Sequence, residues 1–291
     1  MKIATKLSML FISSLMLLAA FSPALALTSP IMTPGIALLR SSNGSYKSLN
    51  WSGYAVTGAT GSVTSVTGSW TVPTLDSNTG TALAATWVGI DGFNSNTVEQ
   101  TGTMIATSSA QSTYGVPEYC AWYEFYPGPM YLITSLTINP SDIISASVTY
   151  TASSGSPGGP AFGGLVFAPR DPIRSSSGTF TITITDTTSG KSFSTTGTVR
   201  NAARSSAEWI TEAPSSSSGI IPLANFGTAN YGYYTTDVSG TCYATVSGST
   251  GAIGSFGSSV QTLTMVNSAG TAIATPSVLF SDGTSFSIVY S

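Results

Sequence analysis

Residues 179–186 read TFTITITD, with Thr alternating against Phe and Ile at a period of two. The alternation recurs at Ile144, Ala146, Val148 and Tyr150, from Leu132 to Ile138, and from Phe286 to Tyr290. A repeat of two puts successive side chains on opposite faces of a strand and cannot form the stripe a helix needs. Turn clusters such as Asn78-Thr79-Gly80, Thr188-Ser189-Gly190 and Ser281-Asp282-Gly283 punctuate the runs. Many such strands over about 240 residues predict an all-β antiparallel sandwich or barrel, with no amphipathic helix longer than a turn or two.

The chain opens MKIATKLSMLFISSLMLLAAFSPALALTSP. Lys2 and Lys6, the apolar run Leu10 to Phe21 and the small-x-small sequence Ala24-Leu25-Ala26 read as a secretory signal peptide over residues 1–26. No second run approaches the ~20 apolar residues a spanning helix needs. The expectation is a secreted, extracellular protein with no stable membrane insertion. Residues 27–46 lack a clear pattern and read as a short pro-segment or N-terminal arm, and residues 47–291 as one β domain. Residues 153–177, SSGSPGGPAFGGLVFAPRDPIRSSS, interrupt it as a surface excursion, because strands of one type resume on both sides.

Removing the leader leaves seven basic against twelve acidic residues, with no basic stripe to neutralise phosphates, so nucleic acid is excluded as a partner. Charged residues make up 7 % of the chain, against the usual ~25 %. Polarity comes from hydroxyls, which do not titrate, and there is no histidine to charge. Acid unfolding works largely through carboxylates and buried histidines, so this composition suits an acid medium. Cys120 and Cys242 are a possible disulfide in an exported chain. Two cysteines without histidine leave no zinc site, and no metal or other cofactor is expected. Nothing in the sequence demands more than a monomer.

The absence of histidine also removes Ser-His-Asp and Cys-His chemistry. What remains is carboxyls, amides and aromatics, and four segments bring them together. They are Asn50-Trp51-Ser52-Gly53-Tyr54; Trp87 to Gly92 with Glu99 to Thr103; Ala121 to Pro127; and Ala207 to Glu212. On strands, Trp122, Glu124 and Tyr126 would line one face, while Trp209 would oppose Glu208 and Ile210. A concave sheet face with Trp, Tyr, Glu and Gln is a usual binding cleft.

NWSGYAV, WVGIDG, EQTGT, WYEFYP and AEWITEAP, in that order, resemble the landmarks of the glutamic peptidases, the eqolisin or G1 family. The resemblance runs from about Asn50 to the closing SFSIVYS. It implies a β-sandwich of two antiparallel sheets, of the concanavalin A-like or jelly-roll type, and an acid endopeptidase acting on polypeptide substrates and insensitive to pepstatin. By motif, the family's catalytic glutamine falls on Gln100 and its glutamate on Glu208, with Glu212 a nearby competitor. Trp51, Trp87, Asp91 and Glu124 match residues around the family's site. Asp91 or Glu124 would orient Gln100. The 153–177 insertion is longer than in the fungal members, and the cysteines do not follow their disulfide pattern. Two other readings stand beside this one. The first is a carbohydrate-binding or carbohydrate-cleaving sandwich using Glu124 and Glu208, whose carboxyls would then lie about 5–9 Å apart. The second is a non-catalytic surface protein.

Overall fold

The strand runs pair into two stacked layers in a computed structural model that describes residues 25–26, 38–40, 44–77, 79–153 and 178–291. The expected leader apart from Leu25–Ala26, most of the 27–46 arm, and the glycine-proline excursion beyond residue 153 lie outside the described residues.

In the first layer the order is Ser45–Ser48, Val260–Val266, Trp51–Thr57, Ser206–Glu212, Leu83–Ile90, Val98–Ala106, Tyr119–Tyr126 and Met130–Leu132. Every pairing is antiparallel except that of Ser45–Ser48 with Val260–Val266. The second layer runs Lys191–Gly197, Gly178–Asp186, Ile143–Ala152 and Val63–Thr71. Thr228–Tyr231 and Tyr243–Val246 extend it, both pairing with Val63–Thr71. Ala272–Pro276 then pairs with both Phe286–Tyr290 and Val260–Val266, which ties the layers together along one side.

Alternation assigns each strand's faces. Phe180, Ile182 and Ile184 point between the layers and meet Val66, Trp70, Val148, Val88 and Trp209 in the core. The intervening threonines, Thr181, Thr183 and Thr185, face outward and are only partly buried. Strands at the centre of the first layer behave differently. Leu83–Ile90, Val98–Ala106 and Ser206–Glu212 are buried at every position, because a second apolar cluster covers their other face. That cluster holds Trp51, Trp87, Trp122, Met104, Ile210 and Leu263. A strand buried on both sides loses the clean apolar-polar alternation, and its polar side chains then have to be satisfied or used.

Two local expectations change. The run Leu132 to Ile138 is not a strand: pairing ends at Leu132. Ile133, Leu136 and Ile138 are instead buried plugs from a turn that begins where the Ile133 N–H bonds to the Ala121 carbonyl at 2.8 Å. A short helix, Ser108–Tyr114, stays within the expected turn or two, capped by the Thr107 side chain at one end and by left-handed Gly115 at the other. The two cysteines do not pair. Cys120 belongs to the outer apolar cluster and Cys242 to the inter-layer core, so both are free and buried.

Candidate functional site

Strand register brings the chemistry onto one line. Across the first layer, Ala55 pairs with Glu208, Glu208 with Gly89, Gly89 with Gln100, and Gln100 with Glu124. Directly paired residues share a face, so Glu208, Gln100 and Glu124 project together into the outer apolar cluster. Trp209 turns the other way and gives its indole N–H to the Thr67 carbonyl at 2.8 Å.

Between Glu208 and Gln100 there is only a glycine. A Cβ at Gly89 would stand 2.9 Å from Trp87 Cζ3 and 3.1 Å from Gln100 Cβ. The Glu208 and Gln100 backbones lie two strand spacings apart, about 9–10 Å, and the absent side chain lets the Trp87 ring pack against the strand between them.

Polar atoms on this line lack strong partners. Both carboxyl oxygens of Glu208 and Oε1 of Gln100 are buried and make no hydrogen bond of good geometry. Burial raises the Glu208 carboxyl well above the usual carboxylate range; the Ser206 hydroxyl beside it pulls down, the Asp91 charge pushes up, and the Phe93 backbone N–H pulls down. The Gln100 amide is anchored at its other corner, where Nε2 donates to Glu124 Oε2 at 2.7 Å. Burial lifts Glu124 well above its ordinary value, the bond from Gln100 opposes this, and the Glu212 charge adds to it.

The other residues singled out from the sequence divide into two groups. Trp87 and Glu212 are partners: Trp87 Nε1 donates to Glu212 Oε2 at 2.9 Å, and Asn50 Nδ2 reaches Oε1 at 3.4 Å. Burial pushes Glu212 to about 8 against the pull of Trp51, Trp87 and Asn50. Trp51 packs edge-on against Trp87, ring centroids 4.8 Å apart. Asp91 does not touch Gln100. Its carboxylate takes the backbone N–H groups of Arg204 at 2.6 Å and Ser205 at 2.8 Å, and so pins the chain entering the Glu208 strand. Asp91 lies one residue beyond the Leu83–Ile90 strand, where its φ of 71° turns the chain aside.

Sequence reasoning missed three positions. Gly89 stood in WVGIDG, but its value depends on register. Phe93, next to Glu208, follows that motif directly. Glu99, on the reverse face of the Gln100 strand, is fully buried with neither oxygen bonded. Burial and then the Asp91 and Glu208 charges raise its carboxyl well above normal, against Arg204. Among the described residues, no group of three or more His, Cys, Asp or Glu side chains is placed to hold a metal ion.

The sequence profile of the Peptidase A4 family matches residues 49–157 and 173–275, which include all four segments that build the line. The chain belongs to that family. The break between the matched parts falls inside the glycine-proline excursion. Aspergillopepsin-2 of Aspergillus niger is 28 % identical over 233 residues, 70 % of this chain and 71 % of its own. Among solved structures, scytalido-glutamic peptidase with a transition-state analogue inhibitor superposes with a TM-score of 0.58 at 25 % identity, covering 83 % of this chain and 98 % of the other. SCP-B, an eqolisin solved with the tripeptide Ala-Ile-His, shares the fold at a TM-score of 0.55 and 24 % identity, over 83 % of this chain and 98 % of its own. The protein is therefore a glutamic peptidase, a hydrolase of polypeptides, built on a β-sandwich.

Proposed function

We propose that this peptidase is a secreted acid endopeptidase in which Glu208 activates water and Gln100 stabilises the oxyanion. The observation that carries the reading is the line Glu208–Gly89–Gln100, which sets a buried carboxyl and a buried amide on one face with only a glycine between them.

The ionised Glu208 takes a proton from water as the water oxygen bonds to the scissile carbonyl carbon. The carbonyl oxygen becomes an oxyanion and accepts the Gln100 Nε2 hydrogen that is not given to Glu124. Glu208 then gives its proton to the leaving nitrogen, the C–N bond breaks, and the carboxylate is restored. One such donor in a water-poor site lowers the barrier by ~3–4 kcal/mol. Glu124 holds the Gln100 side chain by its second corner. Burial favours the neutral form of Glu208 when the face is covered, so the base forms when water and substrate reach it. In this reading residues 1–26 are removed as a signal peptide, 27–46 form a pro-segment or arm, and 47–291 are the working domain, acting as a monomer.

The sugar-cleaving alternative fits the geometry poorly. Glu124, the second carboxyl it needs, is bound to Gln100 Nε2 at 2.7 Å, and the chain belongs to a family of peptidases. The purified mature protein, given denatured casein and a soluble polysaccharide at pH 3–4, is expected to cleave casein alone. Glu208→Gln, folded by near-UV circular dichroism, is expected to leave the casein intact. Polysaccharide cleavage, or casein cleavage by Glu208→Gln, overturns the reading.

A further inference from the structure

The Tyr46 and Phe93 rings meet edge to face, centroids 4.9 Å apart at 82°. Their strands are not neighbours. Tyr46 lies on Ser45–Ser48, and Phe93 follows Leu83–Ile90; Val260–Val266, Trp51–Thr57 and Ser206–Glu212 lie between. Four strand spacings amount to about 19 Å on a flat sheet. The contact therefore requires the chain after Ile90 to fold back across the face that carries Glu208.

The turn is built for that. Asp91 at φ 71° and Gly92 at φ 114° reverse the chain. A Cβ at Gly92 would lie 2.7 Å from both Trp51 Cη2 and Val98 Cγ2, so this loop rests directly on the cluster. Its base is fastened through Asp91 to the backbone of Arg204 and Ser205. Its middle is braced by Ser95, whose hydroxyl accepts from the Gly92 N–H at 3.1 Å and donates to the Thr97 carbonyl at 3.1 Å. Phe93 itself is 5 % exposed and Glu208 is 0 % exposed.

We infer that the Tyr46–Phe93 contact is a latch that closes the 91–97 loop over Glu208 and must part before a peptide can reach it. The inference rests on Glu208 being the reacting carboxyl. The latch is weak enough to open: an edge-to-face aromatic pair favours the closed state by a few-fold to about tenfold. A site competent for only part of the time binds more weakly by that fraction. The latch therefore acts on KM. Closed, it also keeps water from Glu208; open, it admits water and substrate together.

The test compares the protein that retains residues 27–291, and so Tyr46, with its Tyr46→Ala, Phe93→Ala, double and Tyr46→Phe variants, the last keeping the ring edge. Phe93→Leu fills the volume without the aromatic contact and serves if an alanine variant fails to fold. Acrylamide quenching of tryptophan fluorescence reads the cover directly, since three of the five tryptophans, Trp51, Trp87 and Trp122, lie in this cluster. Quenching is expected to rise about twofold or more. KM for denatured casein at pH 3–4 is expected to fall by the same few-fold factor in each single variant, with kcat unchanged. The double variant should go no further and Tyr46→Phe should match wild type. Unchanged quenching and KM, or a higher KM, in the folded alanine and leucine variants overturns the latch. An active Glu208→Gln overturns the assignment of the reacting carboxyl instead, and the quenching result still reports whether the loop opens.

Discussion

Trp87 donates its indole N–H to Glu212 at 2.9 Å, and this bond separates two glutamates four residues apart on one strand. Glu212 is committed to Trp87 and Asn50, whereas Glu208 makes no hydrogen bond of good geometry and lies level with Gln100. The two should respond oppositely to mutation. Glu208→Gln is expected to abolish turnover, because an amide cannot take a proton from water. Glu212→Gln keeps an acceptor for Trp87 and is expected to hold kcat/KM within a few-fold of wild type. Glu212→Leu leaves two buried donors unpaired and should cost about 1–3 kcal/mol of stability. Peptide kinetics at pH 3–4 and chemical denaturation check both. An active Glu208→Gln beside a dead, folded Glu212→Gln would exchange the two roles.

Gln100 is gripped by Glu124 at 2.7 Å, so its variants can separate donation from orientation. Gln100→Ala removes the donor and is expected to lower kcat by about 10²–10³. Gln100→Glu is expected to be as poor, with residual activity displaced to lower pH, where the new carboxyl is protonated and can donate. Glu124→Gln preserves an acceptor and should retain most activity. Glu124→Leu frees the Gln100 amide and should lower kcat about tenfold with KM little changed. A wild-type kcat for Glu124→Leu would show that Gln100 needs no anchor.

Gly89→Ala tests the spacing of the line. The added methyl would press on Trp87 and on Gln100 Cβ, at 2.9 and 3.1 Å. The backbone is ordinary strand and gains no strain from alanine. The expected result is a folded protein whose kcat/KM falls by about 10²-fold, because small displacements of reacting groups are that costly. Full activity would mean that the Glu208–Gly89–Gln100 line is not where the chemistry occurs.

Much of this was legible in the sequence because the informative residues sit on strands with a strict period. Alternation alone assigns faces to Trp122, Glu124, Glu208 and Trp209. The register could not be read, since it depends on partners more than a hundred residues away: nothing local says that Gly89 falls between Glu208 and Gln100. Asp91 was misjudged for a related reason. It stands in a motif beside the site, yet the turn at its positive φ points its carboxylate at the Arg204–Ser205 backbone. The Leu132 to Ile138 run failed because buried apolar spacing in a turn imitates a strand. Glu99 lies in a segment the sequence singles out yet takes no role there, because a carboxyl facing a core without a partner violates the rule by which buried positions are recognised.

Those buried acids set the pH range of the fold. Asp91, Glu99, Glu124, Glu208 and Glu212 are all fully or almost fully buried, and burial is the leading cause that raises each one. A carboxyl whose folded value is raised binds its proton more tightly in the native state than in the unfolded chain. Its stabilisation is complete below the unfolded value, near 4.5, and is lost as pH climbs through the folded value. For Glu212, raised to about 8, the loss extends from about pH 4.5 to pH 8 and amounts to about 5 kcal/mol. Glu99 adds to the same trend, having no donor to stabilise its charge. Thermal unfolding followed by near-UV circular dichroism from pH 3 to pH 8 is expected to give its highest Tm at or below pH 4 and a steady fall above it. Glu99→Gln and Glu212→Gln should each flatten that fall, leaving Tm at pH 3 nearly unchanged and raising it at pH 7–8. A Tm that rises toward neutrality, or a slope that neither variant alters, would show that these carboxyls are ionised in the folded protein.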